Sequence, residues 1–251
     1  MELVGVAKSH SSVDYAMLEY CIRDDLKLKK PRVSAVLDPI KLVITNYPED
    51  KVEYMEVKNN QENEEMGTRK VPFCRELYIE RDDFKIERPK KYFRLYPGNE
   101  VRLMNGYFVT CTDYVTDEDG NVTEVLCTYD PESKGGATPD RGGNSPDGRK
   151  VKGTIHWVAA PFAKKAEVRL YENIVDEEKG VYNEDGSVNL NPDSLIILKD
   201  CYVEPSLEEA APGDSFQFVR QGYFCLDTKD TTKDHMVFNR IVSMKSSYQP
   251  K

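Results

Sequence analysis

The sequence has little of what several common classes of protein require. Its longest apolar runs are far too short to cross a membrane, and Met1-Glu2 does not begin a signal peptide. The six cysteines lie far apart, and no two have Cys-x-x-Cys spacing, which disfavours a zinc site. A glycine-rich phosphate loop is also missing. We therefore expect a cytosolic protein with reduced, buried cysteines and no membrane partner, metal or cofactor of its own.

An excess of positive charge is missing too. The chain carries 35 Lys and Arg against 44 Asp and Glu, a formal net charge of −9. This disfavours nucleic-acid binding, whose affinity comes largely from cations on phosphates. The charges are segregated, however, since residues 48–65 hold seven acids against two lysines, and residues 85–102 hold six cations against two glutamates. Because salt screens charges beyond about 8 Å, the basic stretch can still bind RNA.

The pattern that is present is mainly β. One amphipathic helix starts near Ser11-Ser12 and ends near Leu26, and many short apolar segments between turn signals follow it. Such a succession is typical of barrels or sandwiches, and 251 residues suffice for one or two domains. The Asp117–Asn121 cluster predicts a hairpin turn. The glycine- and proline-rich residues 130–148 predict a mobile loop.

The stretch from Asp147 to Tyr171 carries the most suggestive chemistry. It has a basic run, the only Trp of the chain and two β-like segments, Gly153–Ala159 and Ala166–Tyr171. Cations beside aromatic rings on strands suit a surface that binds single-stranded RNA. The alternative is an ordinary hairpin with a solvated basic face, which composition alone favours.

Several blocks of sequence resemble the C-terminal part of the glutaminyl-tRNA synthetase family, in the family's order. They are PRVSAVLDPIKLVITNYP at 31–48, EMGTRKVPF at 65–73, LYIERDDF at 77–84, GRKVKGTIHWV at 148–158 and FQFVRQGYFCLD at 216–227. The resemblance covers nearly the whole chain, but only the end of a helical region and the anticodon-binding β-barrels of the family. It implies a fragment whose catalytic domain would lie upstream.

The implied fold is two β-barrels of the ribosomal-protein-like, anticodon-binding type, preceded by a short helical remnant. Residues 1–29 would end the helical subdomain. Residues 30–88 with 190–251 would form the proximal barrel, and residues 89–189 the distal barrel. The resemblance also implies a parent enzyme that joins glutamine to its tRNA with ATP and Mg²⁺ in an N-terminal catalytic domain. This chain alone would bind the glutamine tRNA as a monomer.

Residues that would read the anticodon can be carried over where the motifs match. Arg and Gln side chains make paired hydrogen bonds to a base edge. Arg32, Gln217 and Arg220 match residues that recognise the central anticodon base. Arg94 matches an arginine that reads the third base, and Arg102 matches one of two basic residues near the first base.

The implied site for the first base departs from the family pattern. Met104 stands where the second basic residue is expected, and Lys91 and Phe93 replace a Gln and a Lys of the bacterial pattern. We expect Lys91 to contact RNA and Phe93 to offer a stacking face. General phosphate contacts are expected from Lys150, Lys152, Lys164 and Lys165.

No catalytic centre is predicted in this chain. None of its three histidines lies in the His-x-Gly-His type motif of class I tRNA ligases. Residues 242–247 resemble the Met-Ser-Lys motif only superficially, because Met244 is followed directly by Lys245. Asp82-Asp83 is interpreted as solvated or capping carboxylates. We therefore expect no ligase activity from this chain alone.

Three other functions remain open at this point. The related β-barrel-bearing glutamyl-tRNA synthetases are one, although the combination of Arg32, Gln217 and Arg220 favours glutamine. A free-standing RNA-binding barrel is another. A barrel that binds protein is the third, and it predicts no salt-dependent tRNA binding, whereas phosphate contacts weaken with salt.

Overall fold

The structure, a computed structural model, describes residues 15–135, 148–175 and 179–244. It is mainly β, and the one α-helix of the described residues is α1 (Tyr15–Lys27) at their N-terminal end, so the predicted fold class is confirmed. The predicted helix start at Ser11-Ser12 and residues 136–147 of the predicted loop lie outside the described residues. The same holds for the end of the Met-Ser-Lys-like segment, from Lys245 onward.

Sixteen strands occur in the described residues. They are β1 (Arg32–Val33), β2 (Ala35–Val36), β3 (Pro39–Ile44), β4 (Glu53–Lys58), β5 (Thr68–Phe73), β6 (Glu76–Glu80), β7 (Glu100–Leu103), β8 (Phe108–Thr116), β9 (Val122–Asp130), β10 (Gly153–Ile155), β11 (Val158–Ala159), β12 (Lys164–Tyr171), β13 (Leu195–Val203), β14 (Ser215–Phe218), β15 (Gly222–Leu226) and β16 (Met236–Ser243).

Local sequence explains many of these elements. In β3 every second residue points into the core, and Ile40, Leu42 and Ile44 are buried as period-2 alternation requires. The predicted turn between β8 and β9 is confirmed. Asp117 N donates to the Asn121 carbonyl over 2.9 Å, and the Asp117 carboxylate accepts from the backbone N–H of Asn121 over 2.8 Å.

Most described strands belong to two seven-stranded sheets. Sheet I has the order β1-β14-β15-β16-β12-β13-β2, sheet II has the order β10-β7-β8-β9-β3-β6-β11, and β4 pairs with β5. In each large sheet the two edge strands are neighbours in sequence. Only Ser34 separates β1 from β2, and only residues 156–157 separate β10 from β11. Each sheet therefore curls until its edges approach, which gives two barrel-like sheets.

The division into a proximal and a distal barrel stays a prediction, and the two sheets do not follow its bounds. β3 and β6 were expected in the proximal barrel, yet they pair within sheet II beside β9 and β11. β12 was expected in the distal barrel, yet it pairs with β13 and β16 in sheet I. Alternation along a strand shows which face is buried, but it does not show which strand is the neighbour.

The segment from Asp147 to Tyr171 is not a hairpin. β10 pairs with β7 and β11 with β6, whereas β12 lies in the other sheet. Trp157 is only 3% exposed, its ring lies 5.0 Å from that of Phe73, and its Nε1 donates to the Met104 carbonyl over 2.9 Å. The indole is therefore part of the core of sheet II and is not a stacking surface for a base.

The two sheets meet along a junction made of specific polar and aromatic contacts. Tyr78 of sheet II stacks on Tyr202 of sheet I with ring centroids 4.1 Å apart. Arg69 of β5 pairs with Glu204, which follows β13, at 2.5 Å from Nε to Oε1. Glu204 is 1% exposed and also accepts from the backbone N–H of Ser34. These contacts hold the ends of both sheets beside each other, where the candidate site lies.

Candidate nucleic-acid interface

Arg32 and Gln217 are brought together by strand pairing. β1 runs parallel to β14, and the two residues are register partners in that ladder. Both side chains line a pocket of about 490 Å³, whose wall also includes Tyr20, Tyr223 and Met244. We call this pocket 1. Two of the three predicted readers of the central base, Arg32 and Gln217, therefore share one concave surface.

Hydrogen bonding in pocket 1 is incomplete. Arg32 Nε and Gln217 Oε1 are buried and have no hydrogen-bond partner among the described residues. The Gln217 amide nitrogen has only a weak contact with Met244 Sδ, at 3.5 Å. Buried polar groups normally find partners, and leaving one without a partner costs about 1–3 kcal/mol. Arg32 therefore keeps an unused donor, and Gln217 an unused acceptor, beside the same pocket.

Glu62 occupies the anionic position of pocket 1. Its carboxylate accepts from Arg32 Nη2 over 2.6 Å and lies 2.7 Å from Lys27 Nζ. Hydrogen bonds from Lys27 and then Arg32 lower the pKa of Glu62, so it is ionised at neutral pH. The cations of pocket 1 therefore favour a negatively charged ligand, and the Glu62 carboxylate occupies the position of such a ligand.

Arg220 lies outside pocket 1. It sits in the turn between β14 and β15 at φ 69, a left-handed conformation that is uncommon for a residue with a side chain. Its guanidinium makes a bidentate pair with Asp83, both bonds 2.7 Å long, and Nη1 lies 3.3 Å from His156 Nδ1. The structure thus separates Arg220 from Arg32 and Gln217, the two residues with which the resemblance grouped it.

Arg220 instead shares a second pocket with three other predicted residues. This pocket 2, of about 560 Å³, is lined by Lys91, Phe93, Arg94 and Arg220 among others. Arg94 Nη1 lies 3.2 Å from Asp83 Oδ1 and donates to the Asp82 carbonyl over 3.3 Å. Lys91 is exposed and also has a left-handed backbone, at φ 62. Four cations, with Lys85 as the fourth, and the rings of Tyr92 and Phe93 therefore line one open concavity together with Asp82.

A close backbone approach positions the wall of pocket 2. A Cβ on Gly153 would lie 1.9 Å from the carbonyl oxygen of Phe93, so only glycine allows β10 to pass beneath the Lys91–Arg94 segment. A smaller pocket of about 220 Å³ adjoins, and Tyr92, Phe93 and Gly153 line both. Lys150 and Lys152 lie there, and Lys152 Nζ is 5.3 Å from the centre of the Phe93 ring.

Arg102 lies apart from these pockets. It is on β7, its guanidinium carbon is 5.3 Å from the Phe108 ring centre, and burial lowers its pKa. Arg102 Nε and Nη2 are buried without a hydrogen-bond partner in the described part of the chain. Arg149 approaches the same ring at 5.6 Å, with its charge paired to Glu100 and Asp130.

Sequence reasoning missed two buried residues behind pocket 2. Asp83 was interpreted with Asp82 as a solvated or capping carboxylate, which is wrong for Asp83, because it is fully buried between two arginines. His156 is also fully buried, with Nε2 2.9 Å from the Ala35 carbonyl. Neither position carried a signal beyond its place in the matching blocks, because burial beside a cation depends on the packing of distant segments.

Two of the lysines expected to contact phosphate have acidic partners. Lys164 lies 2.8 Å from Glu208, and Lys165 lies 2.7 Å from Asp200. Within residues 15–135, 148–175 and 179–244, no group of three or more acidic, His or Cys side chains is placed to hold a metal ion. No helix in those same ranges is both long and apolar enough to cross a membrane.

Models of known protein families match the parts of the chain that carry these residues. Two family models with the same description, "tRNA synthetases class I (E and Q), anti-codon binding domain", match residues 30–130 and residues 154–227. These ranges include Arg32, Arg94, Arg102, Gln217 and Arg220. The chain belongs to this family of anticodon-binding domains.

Several individual relatives are glutamine–tRNA ligases. The chain is 50% identical over 248 residues to a glutamine–tRNA ligase of Clostridium kluyveri, which covers 98% of this chain and 43% of the relative. Identity is 51% to the glutamine–tRNA ligases of Clostridium perfringens and Rhodopirellula baltica, with 44% and 40% of those proteins covered. The chain thus spans less than half the length of these curated relatives and matches their C-terminal part.

Proposed function

We propose that this chain binds the anticodon of glutamine tRNA and so selects the tRNA for a glutamine–tRNA ligase. The observation that carries the proposal is the pairing of Arg32 with Gln217 in one pocket, with a buried unpaired donor and a buried unpaired acceptor. A base that leaves its stack presents that combination along one edge, and single-stranded RNA is usually recognised in this way.

The base assignment is the one that the family resemblance implies, and the two pockets agree with it except at Arg220, whose side chain lines pocket 2 beside Arg94, and at Arg102, which lines neither. Arg32 and Gln217 recognise the central base in pocket 1, and Arg220 contributes from the adjoining turn. Arg94 recognises the third base in pocket 2, with Lys91 beside it. Arg102 lies near the first base. These assignments are supported by the family membership, by the concave shape of the pockets and by their positive side chains.

Aminoacylation itself is assigned to another part of the parent protein. The relatives are more than twice as long as this chain, and the ATP and Mg²⁺ that the ligase reaction uses would be held by an N-terminal catalytic domain. This chain alone would be inactive as a ligase.

All six cysteines are free thiols, which supports a location in the reducing cytoplasm. We also expect a monomer that binds one tRNA.

Fluorescence anisotropy with a labelled anticodon stem-loop of glutamine tRNA tests the proposal. A loop with the central U changed to C serves as the competitor. The wild-type chain should prefer U, and Arg32→Ala and Gln217→Ala should each lower that preference roughly tenfold, the value of one well-placed base contact. Lys165→Ala, an exposed cation paired with Asp200, is the control and should leave the preference unchanged.

Two outcomes would contradict the proposal. Equal, salt-sensitive binding of both loops would show phosphate attraction without base recognition. Binding that does not depend on salt, or no binding, would favour a barrel that contacts protein. A third loop with the third base changed from G to C carries the glutamate anticodon. Preference for that loop would assign the chain to the glutamyl branch of the same family.

A further inference from the structure

A single buried carboxylate connects arginines that come from different parts of the fold. Asp83 ends a short 3-10 turn, Arg81–Asp83, directly after β6 of sheet II. Its Oδ2 accepts from Arg220 Nη1 and its Oδ1 from Arg220 Nη2, both over 2.7 Å. Arg94 Nη1 lies 3.2 Å from the same Oδ1. Asp83 is completely buried, whereas the Arg94 and Arg220 side chains are 42% and 27% exposed in pocket 2.

The hydrogen bonds of Arg220 determine which of its donors face outward. Because the Ala35 carbonyl can only accept, His156 Nε2 carries the proton of that 2.9 Å bond, and His156 Nδ1 accepts from Arg220 Nη1. Nη1 thus gives one hydrogen to Asp83 and one to His156. Nη2 gives one hydrogen to Asp83. One Nη2 hydrogen and the Nε hydrogen remain for a ligand.

Arg94 is held in a similar way. Its Nη1 donates to the Asp82 carbonyl over 3.3 Å and forms an ion pair with Asp83 Oδ1 at 3.2 Å. Its Nε and Nη2 meet no acceptor among the described residues. The backbone around it is tied to the same turn, since Leu95 N donates to the Asp83 carbonyl over 2.9 Å. Asp83 therefore contacts both guanidinium groups, through two hydrogen bonds at Arg220 and through an ion pair with Nη1 alone at Arg94.

An ordinary structural ion pair is a weaker account of Asp83. The junction between the sheets is already held by Arg69 with Glu204, by Tyr78 on Tyr202 and by the Gln221 amide, which donates to Glu80 over 2.8 Å. A structural pair also needs only one arginine. Here one carboxylate holds two arginines, and both reach the same solvent-filled concavity.

We propose that Asp83 is a positioning residue that couples Arg94 and Arg220, so that recognition of the third anticodon base and of the central base depend on one buried carboxylate. This inference rests on the proposed function. Replacing the carboxylate with an amide removes the negative charge and one of the two acceptor oxygens, so the guanidinium groups are held less firmly and can turn toward phosphate oxygens. Base preference then falls at two positions at once, while general attraction to RNA is kept or increased, because a negative charge has been lost near an anionic ligand.

The test uses the full chain and three anticodon stem-loops: the glutamine loop, the loop with central U changed to C, and the loop with third-base G changed to C. Asp83→Asn should lower both preferences by roughly tenfold each, the usual effect of one charge-assisted hydrogen bond. Its affinity for the altered loops should stay the same or rise. Asp200→Asn is the matched control, because Asp200 is exposed, pairs with Lys165 and lines neither pocket.

A double-mutant cycle on the two arginines gives a second measurement. Arg94→Ala, Arg220→Ala and the double variant are compared for the glutamine loop, and thermal unfolding checks that each is folded. Coupling through Asp83 predicts that the combined loss differs from the product of the single losses by at least about twofold. In the D83N background this difference should disappear.

The outcomes separate this inference from the proposed function. In one case the wild-type chain distinguishes the loops, but D83N keeps the same base preferences or the effects of Arg94→Ala and Arg220→Ala are independent. This result overturns the role of Asp83 and leaves the proposed function in place. D83N that loses affinity for all loops equally would show a structural ion pair and also overturns that role. A wild-type chain that does not distinguish the loops overturns the proposed function and this inference with it.

Discussion

Arg32 and Gln217 are direct partners in the parallel ladder between β1 and β14, although they lie near opposite ends of the chain. The ladder places a guanidinium and a carboxamide side by side on rigid strands. Glu62, from the loop between β4 and β5, closes over the guanidinium from outside. Binding by this pocket is therefore a competition between an internal carboxylate and an external ligand.

Removing that internal competitor should strengthen RNA binding. Glu62→Gln keeps the shape of the side chain but removes the charge that pairs with Arg32 and Lys27. We expect affinity for the glutamine anticodon loop to rise several-fold, because exposed ion pairs are worth up to about 1 kcal/mol each. Glu64→Gln is the matched control in the same loop, since Glu64 pairs with Lys58 outside the pocket. Equal gains for both variants in anisotropy titrations would point to net charge alone.

Glu53 should stabilise the fold at neutral pH, and this contribution to the free energy of unfolding should be lost in acid. Although burial raises its pKa, hydrogen bonds from Lys134, Tyr107 and Tyr47 lower it from 4.5 to about 2. A depressed folded-state pKa stabilises the fold above the unfolded-state value, and this contribution is lost as pH falls from about 4.5 towards 2. Glu53→Gln should therefore cost on the order of 2 kcal/mol of unfolding free energy at pH 7, and much less near pH 2.

Urea unfolding of wild type and Glu53→Gln at several pH values measures this difference. Glu118→Gln, on the exposed β8–β9 turn, controls for the loss of one acidic charge. A Glu53→Gln penalty that is the same at pH 7 and pH 2.5 would contradict the ionised role of the carboxylate.

The Arg69–Glu204 pair should be a main determinant of stability at the junction. Arg69→Ala leaves the buried Glu204 carboxylate without its cation, and breaking one partner of a buried pair typically costs about 3–5 kcal/mol. Arg69 Nη2 also donates to the Arg32 carbonyl, so RNA affinity should fall as well. Thermal unfolding measures the first effect and anisotropy the second. Lys70→Ala, the exposed next residue, should change neither.

Trp157 should report on the core and not on RNA. Its indole is buried and bonded to the Met104 carbonyl, so acrylamide should quench its fluorescence poorly, with or without the anticodon loop. Trp157→Phe should destabilise the fold by about 1–3 kcal/mol, because that buried carbonyl loses its donor. Affinity of the folded variant for the loop should be unchanged. Strong quenching by acrylamide that decreases when RNA is added would contradict this prediction and support the indole as a stacking surface.

The local sequence pattern predicted secondary-structure elements well, but it did not predict which strands pair with each other. Alternation in residues 39–44 and the acidic turn at 117–121 predicted a strand and a hairpin that the structure contains. The same reasoning treated residues 153–171 as one unit, yet the chain passes from sheet II to sheet I within them. The alternation of apolar and polar residues is a property of one strand, whereas the pairing of that strand depends on segments far away in sequence.

By itself, the sequence determined the mainly β fold, the family and the residue types available to bind RNA, because these depend on local composition and on matching blocks. Only the tertiary structure decided that Arg32 faces Gln217 across a parallel ladder, that Trp157 belongs to the core, and that Asp83 lies buried between Arg94 and Arg220. The reason is physical. The protonation, orientation and partners of a side chain are set by burial and neighbouring charge, and both arise only when distant strands pack together.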